Sequence, residues 1–263
     1  MSKIKNGFDS VPQYEKDFKV HHLNLNATEI APGVILTSNL ERTPVIAATF
    51  DEAKQMEYHR EYISYKGKKH GVDMSVMSIG NGCMPTAIAV EELRHIGCRN
   101  MIKVGSCDAI QEDIKPGTII VPTGAMRSEG ATLEYVNLQY PAVTDHDALF
   151  SILEAAKELG EKVKMGVIRT HDALFMESPF AHDGVEERIK PWRDLGVLAI
   201  DNEAAAMLTI ASILGLHAGC VYVVTSNLTT GEHLEFKEEY PEIMKRAIEI
   251  STLALSKLIK KNG

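Results

Sequence analysis

Nowhere in these 263 residues does an apolar run approach the ~18 needed to cross a bilayer, and Met1 to Val20 holds no apolar segment of the kind a signal peptide needs. A soluble chain with neither leader nor membrane partner is expected. The four cysteines, Cys83, Cys98, Cys107 and Cys220, are scattered, with no CxxC pair and no histidine at zinc-ligand spacing. They read as reduced core thiols of a cytoplasmic protein, and no metal is expected. Positive charge is short as well: 28 Lys and Arg stand against 36 Asp and Glu, a net charge of -8. Proteins that grip a nucleic-acid backbone concentrate Lys and Arg, so that class of partner is argued against. A small anionic ligand would need a locally positive pocket. There is no internal repeat and no low-complexity tract.

With 44% hydrophobic and 24% charged residues, the chain can bury a full core in a single α/β domain. Residues 1–19 mix acidic and basic side chains and read as a polar lead-in, the domain running from 20 to 263. Gly33 to Thr37 is short, apolar and β-branched, bounded by Pro32 and Ser38, which predicts a buried strand and a turn. Gly67 between Lys66 and Lys68 predicts a hairpin over Tyr65 to Lys69. Val72 to Ile79 reads as a strand, Gly80 to Pro85 as a glycine turn, and Thr86 to Ile96 as a helix stopped by Gly97. The alternation continues with strands at Thr118 to Pro122, Val163 to Ile168 and Ala218 to Thr225. Helices are expected at Ala148 to Leu159, capped by Asp147 and stopped by Gly160, at Ala204 to Leu214, and from Pro241 to Leu258. This order predicts a mixed, mostly parallel twisted sheet flanked by helices. In such sheets ligands bind beyond the carboxyl ends of strands, where the turns at Ser38, Gly82, Gly105 and Ser226 fall.

The stretch Met101 to Ile110, MIKVGSCDAI, organises the chain. Four residues read as a buried strand, and Gly105, Ser106, Cys107 and Asp108 as a small-residue turn able to present amides and a hydroxyl to an anion. Lys103 lies inside the apolar part, and a lysine in a core strand must find an anionic partner or lie at the strand's end. An anion site and a solvated edge-strand lysine are both open on these residues alone.

The run Val104 to Cys107, preceded by Gly80 to Thr86 and followed by Asp201, Asn202, Glu203, Ala204 and Ala205, resembles the nucleoside phosphorylase superfamily. Ala125 to Leu133 and Tyr140 to Asp145 resemble its uridine phosphorylase branch, and the similarity runs from about Val20 to the end. The resemblance implies cleavage of a nucleoside's N-glycosidic bond by phosphate, giving ribose 1-phosphate and free base, with phosphate as co-substrate and no cofactor. It implies a homo-oligomer built of dimers, up to a hexamer. For phosphate it implies Ser38, Arg42, Arg60, Lys103 and Ser106, with Arg60 reaching a neighbouring subunit's site and Lys103 in place of a family arginine. Guanidinium would give forked contacts and ammonium a point charge. For ribose it implies Glu203, with Asn202 where an apolar residue is usual, and His22 from a neighbouring subunit. Arg42, Lys103 and Glu203 are the implied catalytic set.

The base side departs from the pattern. Asp108 replaces a glycine that lies against the base, Leu228 replaces an arginine, and Asn227 stands where the purine branch has an aspartate. Leu174 and Phe175 are the remaining base candidates, in a segment where the branch's polar readers of the pyrimidine find no counterpart. Asp108 either narrows the pocket, recognises a different base edge, or points away into a turn. Three readings follow: a phosphorylase with an altered base pocket, of uridine-like or purine type; a nucleosidase using water; and a non-catalytic nucleoside-binding protein.

Overall fold

The computed structural model describes residues 16–179, 181–235 and 237–262, so most of the expected lead-in, residues 1–15, lies outside the described residues. Burial begins at Val20, 5% exposed. Ten strands and six α-helices follow: β1 (Gly33–Thr37), α1 (Arg42–Ala47), β2 (Glu52–His59), β3 (Tyr62–Lys69), β4 (Val72–Ser78), α2 (Cys83–His95), β5 (Asn100–Ala109), β6 (Ile119–Ser128), β7 (Ala142–Val143), α3 (His146–Glu158), β8 (Val163–His171), α4 (Val185–Asp194), β9 (Ala199–Asp201), α5 (Ala204–Ile213), β10 (His217–Asn227) and α6 (Glu239–Asn262).

β5 is the hub of one mixed sheet whose longest ladders are parallel. β10 runs parallel along one of its edges from Asn100 to Ala109. The other edge is shared: β1 pairs with it up to Lys103, and β9 joins antiparallel only at Asp108 and Ala109. No strand covers Val104 to Cys107 there, and the site opens at this gap. β9 continues to β8, β8 to β6 and β6 to β10, so these strands with β5 close a ring. β4, β3 and β2 extend from β1 as a wing.

Strand period divides the core into two. Val34, Leu36, Met101 and Cys220 face the layer of α2 and α5. Ile35, Ile102, Val104 and Val221 face the layer of α3 and α6. Lys103, one residue from each of two such apolar neighbours, is thereby committed to the α2 and α5 side.

Three local expectations are corrected. Gly105 to Asp108 is not a turn but the second half of β5. Gly67 is not a hairpin turn but lies inside β3, where a Cβ would stand 1.9 Å from the Glu52 carbonyl oxygen. The chain reverses instead at Arg60, with φ +56°, and at His70 and Gly71. The cap of α3 is Asp145, whose side chain accepts from the Ala148 amide, rather than Asp147. The helix stops at Gly97, Gly160 and Gly215 all adopt positive φ, as their sequence position requires.

Candidate active site

The short strand β9 delivers two carboxylates to the uncovered part of β5. Asp201 accepts from Thr170 Oγ1 at 2.5 Å and Tyr222 OH at 2.6 Å, and from the amides of Glu203 and Ala204 at 3.1 and 2.7 Å. It thus seats the first turn of α5, and its hydrogen bonds are spent on the protein. Glu203, from the same turn, is buried and lines the cavity. Its Oε1 accepts from the Gly82 amide at 2.9 Å, and its Oε2 lies 3.1 Å from Lys103 Nζ.

Lys103 is fully buried, with Glu203 as its ion-pair partner at an angle outside hydrogen-bond geometry. Its ammonium also stands 4.5 Å from the centre of the Tyr222 ring. Burial opposes the charge, but Glu203 and then Asp201 outweigh it, and the Lys103 pKa sits above the ordinary lysine value. Gly105 leaves room for this contact, because a Cβ there would come 2.9 Å from Lys103 Nζ and 3.0 Å from the Tyr222 ring. Lys103 therefore meets Glu203 directly.

Arg42 opens α1 just beyond the end of β1. Its guanidinium donates to Thr37 Oγ1 at 2.9 Å, to the Val104 carbonyl at 3.5 Å and to Tyr240 OH at 2.6 Å. Thr37 ends β1 and the Val104 carbonyl belongs to the uncovered stretch of β5, so the side chain is held there. Ser106 is the one exposed residue between buried Gly105 and Cys107. Ser38, Ser106, Gly82 and Glu203 line a cavity of about 280 Å³.

A second cavity of about 680 Å³ adjoins it, sharing Asp108, Leu174, Ile200, Asn202 and Thr225 with the first. Asp108 points into this junction rather than away into a turn. Its Oδ1 accepts from Ser226 Oγ at 2.5 Å and Thr225 Oγ1 at 3.2 Å. Burial raises its pKa above the usual carboxylate value, against the two hydroxyl bonds. Leu174 and Phe175, on a 3-10 turn (Leu174–Glu177), line the larger lobe.

Asn227 lines that lobe but has nothing left to offer a base. Its Nδ2 donates to the carbonyls of Gln111 and Ile114, and its Oδ1 accepts from the amides of Thr229 and Thr230. Four bonds exhaust an asparagine side chain, so the base role expected of Asn227 is corrected to shaping the loop after β10. Asn202 is half spent: its Nδ2 donates to the His171 carbonyl at 2.5 Å.

His22 and Arg60 line neither lobe of their own chain's cavity. They are neighbours elsewhere, since His59 Nδ1 meets the His22 carbonyl at 2.8 Å. Glu92 of α2 fixes His22, lying 2.7 Å from its Nδ1 and accepting from the amides of His22 and Leu23. Arg60 is exposed at the reversal between β2 and β3.

Residues 32–260 match the model of the phosphorylase superfamily. The chain belongs to the phosphorylase superfamily. It is 37% identical over 231 residues to a uridine phosphorylase of Thermococcus kodakarensis, covering 84% of this chain and 82% of that one. It is 34% identical over 246 residues to a guanosine phosphorylase of Halorubrum lacusprofundi, covering 91% and 99%. The crystal structure of a uridine phosphorylase from Vibrio fischeri superposes with a TM-score of 0.82 at 27% identity, covering 94% of this chain and all of the other.

Within this superfamily member, sequence reasoning missed His171 and Glu177. Both are buried and both line the larger lobe. The available signal was period two in β8, which puts Arg169 and His171 on one face at the carboxyl end of a strand. Among the described residues, no group of three His, Cys, Asp or Glu could hold a metal ion, and no helix is long and apolar enough to cross a membrane.

Proposed function

We propose that the protein cleaves the N-glycosidic bond of nucleosides with inorganic phosphate, releasing ribose 1-phosphate and the free base, with no other cofactor. The chain is an enzyme of pentosyl transfer, a nucleoside phosphorylase in fold and kinship. The two-lobed cavity at the uncovered half of β5 carries the reading. One lobe gathers the hydroxyls of Ser38 and Ser106 beside the buried carboxylate Glu203, with the Arg42 guanidinium held outside its lining on Thr37 and the Val104 carbonyl, and the other is large enough for a base.

In this reading Arg42 and Ser106 hold phosphate, with Ser38 at the rim, and Glu203 accepts from the ribose hydroxyls. Glu203 also favours the positive charge that grows on the sugar ring as the base departs. Lys103 acts through Glu203, holding its carboxylate in place. Asn202 borders the sugar. His22 and Arg60 complete the site of a second copy, so the active unit is at least a dimer, with a hexamer as the full assembly. The domain is residues 20–263 with a lead-in before it, and four free buried thiols suit the reducing cytoplasm.

The test is base release from nucleosides with and without phosphate. Turnover that needs phosphate is expected, and equal turnover in water alone would show a nucleosidase. Arg42→Ala is expected to weaken phosphate-dependent kcat/KM by about 1.5 to 3 kcal/mol, the worth of a charge-assisted contact. An unchanged phosphate dependence in that variant removes Arg42 from the site.

A further inference from the structure

At Asp108 and His171 the larger lobe presents acceptors where a uracil reader would present donors. Among the described residues no lysine or arginine lines it, and Leu228 does. Its polar walls come from either side of β9: Ile200 pairs with Asp108 of β5 on one side and with Arg169 of β8 on the other. The hydroxyls of Thr225 and Ser226, which could have served as donors, are turned onto Asp108.

His171 is held by a chain of contacts that ends at this wall. The Arg169 guanidinium lies 4.9 Å from the Trp192 ring, donates to Ser128 Oγ at 3.1 Å, and pairs with Glu177 Oε1. Glu177 Oε2 is buried without a hydrogen bond and stands 3.6 Å from His171 Nε2. At the other end the His171 carbonyl is pinned by Asn202. A buried carboxylate oxygen with one nitrogen in front of it favours an N–H on that nitrogen. The imidazole's other nitrogen, Nδ1, then carries the lone pair, and it has no partner among the described residues. Burial lowers the His171 pKa, helped by Arg169 and opposed by Glu177, Asp201 and Asp172, which keeps the ring neutral at pH 7.

We propose that His171, held by Glu177 and Arg169, selects the base together with Asp108, and that this lobe takes an amino-substituted purine ahead of uracil. Two acceptors match a base edge carrying adjacent N–H donors, such as the ring N–H and amino group of guanine. Uracil would present a carbonyl oxygen to each side of its single N–H, leaving acceptors facing acceptors. A buried group left unpaired in this way discriminates strongly between ligands. The lobe's volume of about 680 Å³, with Leu228 and Leu174 among its walls, has room for a bicyclic base. This inference rests on the phosphorylase reading for the reaction, but not for the choice of base.

The experiment compares guanosine, adenosine and uridine in the parent, His171→Ala and Glu177→Gln, reading base release with phosphate. The better of the two purine nucleosides is expected to exceed uridine in kcat/KM by about ten-fold or more in the parent. His171→Ala should collapse that ratio, and Glu177→Gln should reduce it by a smaller factor. A variant that merely loses folded protein lowers both rates alike and leaves the ratio unchanged. Uridine as the best parent substrate, or the same ratio in His171→Ala, overturns the proposal. Silence in every turnover assay counts against phosphorolysis, and the choice of base is then read from thermal stabilisation by each nucleoside without turnover. Greater stabilisation by a purine nucleoside that His171→Ala abolishes upholds it, and equal stabilisation by all three overturns it.

Discussion

The two lobes of the cavity are built on different physical terms. The smaller lobe rests on strand ends and a helix start, with Lys103, Glu203, Asp201 and Tyr222 all buried and paired with one another. The larger lobe has one wall on β5, β8, β9 and the end of β10, while the other is a 3-10 turn and the loop after β10, with Leu174 and Phe175 mostly exposed. Groups that must stabilise the same developing charge for any nucleoside sit where they cannot move. The proposed base-selecting pair, Asp108 and His171, sits near the ends of β5 and β8, while the 3-10 turn and the loop after β10 that wall the lobe around them can vary without disturbing the sheet. The comparison predicts that substitutions in the first lobe cost stability and chemistry together, whereas those in the second separate the two.

Glu203→Ala is the severest test of the first half of that statement. It strips Lys103 of its ion-pair partner while leaving the ammonium fully buried, a change worth about 3 to 5 kcal/mol in stability. It also removes the carboxylate that the proposed reading assigns to the ribose. Denaturant unfolding and nucleoside turnover should therefore both fall sharply. A variant that stayed as stable as the parent would mean that Lys103 finds another partner, and the rigid-lobe picture would break.

Asp108→Asn probes the junction and carries a pH signature smaller than the loss at Glu203. Burial raises the Asp108 pKa in the folded chain, with the hydroxyls of Ser226 and Thr225 pulling it partly back. Between the unfolded and folded pKa values the native state holds the proton that the unfolded state has lost. Stability contributed by this group thus falls as pH rises through that window. Asp108→Asn abolishes the fall and should be relatively more stable than the parent above the window. Unfolding free energies of both proteins from pH 3 to 7 check the sign, and parallel curves would mean that Asp108 is not desolvated.

The same division governs what the sequence could show. β1 and β4 were legible because both are dense in apolar and β-branched residues between turn signals, and α2 because glycines bracket it. Second-half β5 was misread because Gly105, Ser106 and Cys107 look like a turn, and only the long β10 partner makes a strand of them. α4 escaped because its sequence, VEERIKPWRD, buries Ile189 alone and carries a proline. Lys103 was flagged as needing an anion, which it has, but the identity of that anion required the three-dimensional meeting with Glu203. Asn227 could not be separated from a base reader by composition. Its four backbone bonds come from residues up to 116 positions away.

Phe175→Ala should give the smallest effect on the fold and the cleanest separation of binding from stability. Phe175 is 64% exposed, so truncation removes little buried surface and should change unfolding free energy by no more than about 0.5 kcal/mol. Its ring nonetheless lines the larger lobe, where a bound base would cover part of it. Covering some tens of Å² of apolar surface at about 25 cal/mol per Å² amounts to roughly 1 kcal/mol, a several-fold change in affinity. A contact to the base alone, away from the breaking bond, is the same before and during cleavage. Uniform binding of this kind raises KM and leaves kcat unchanged. Steady-state kinetics with the best nucleoside therefore decide it: a fall in kcat at constant KM would mean that the 3-10 turn positions the reacting bond, and the two lobes would no longer be separable.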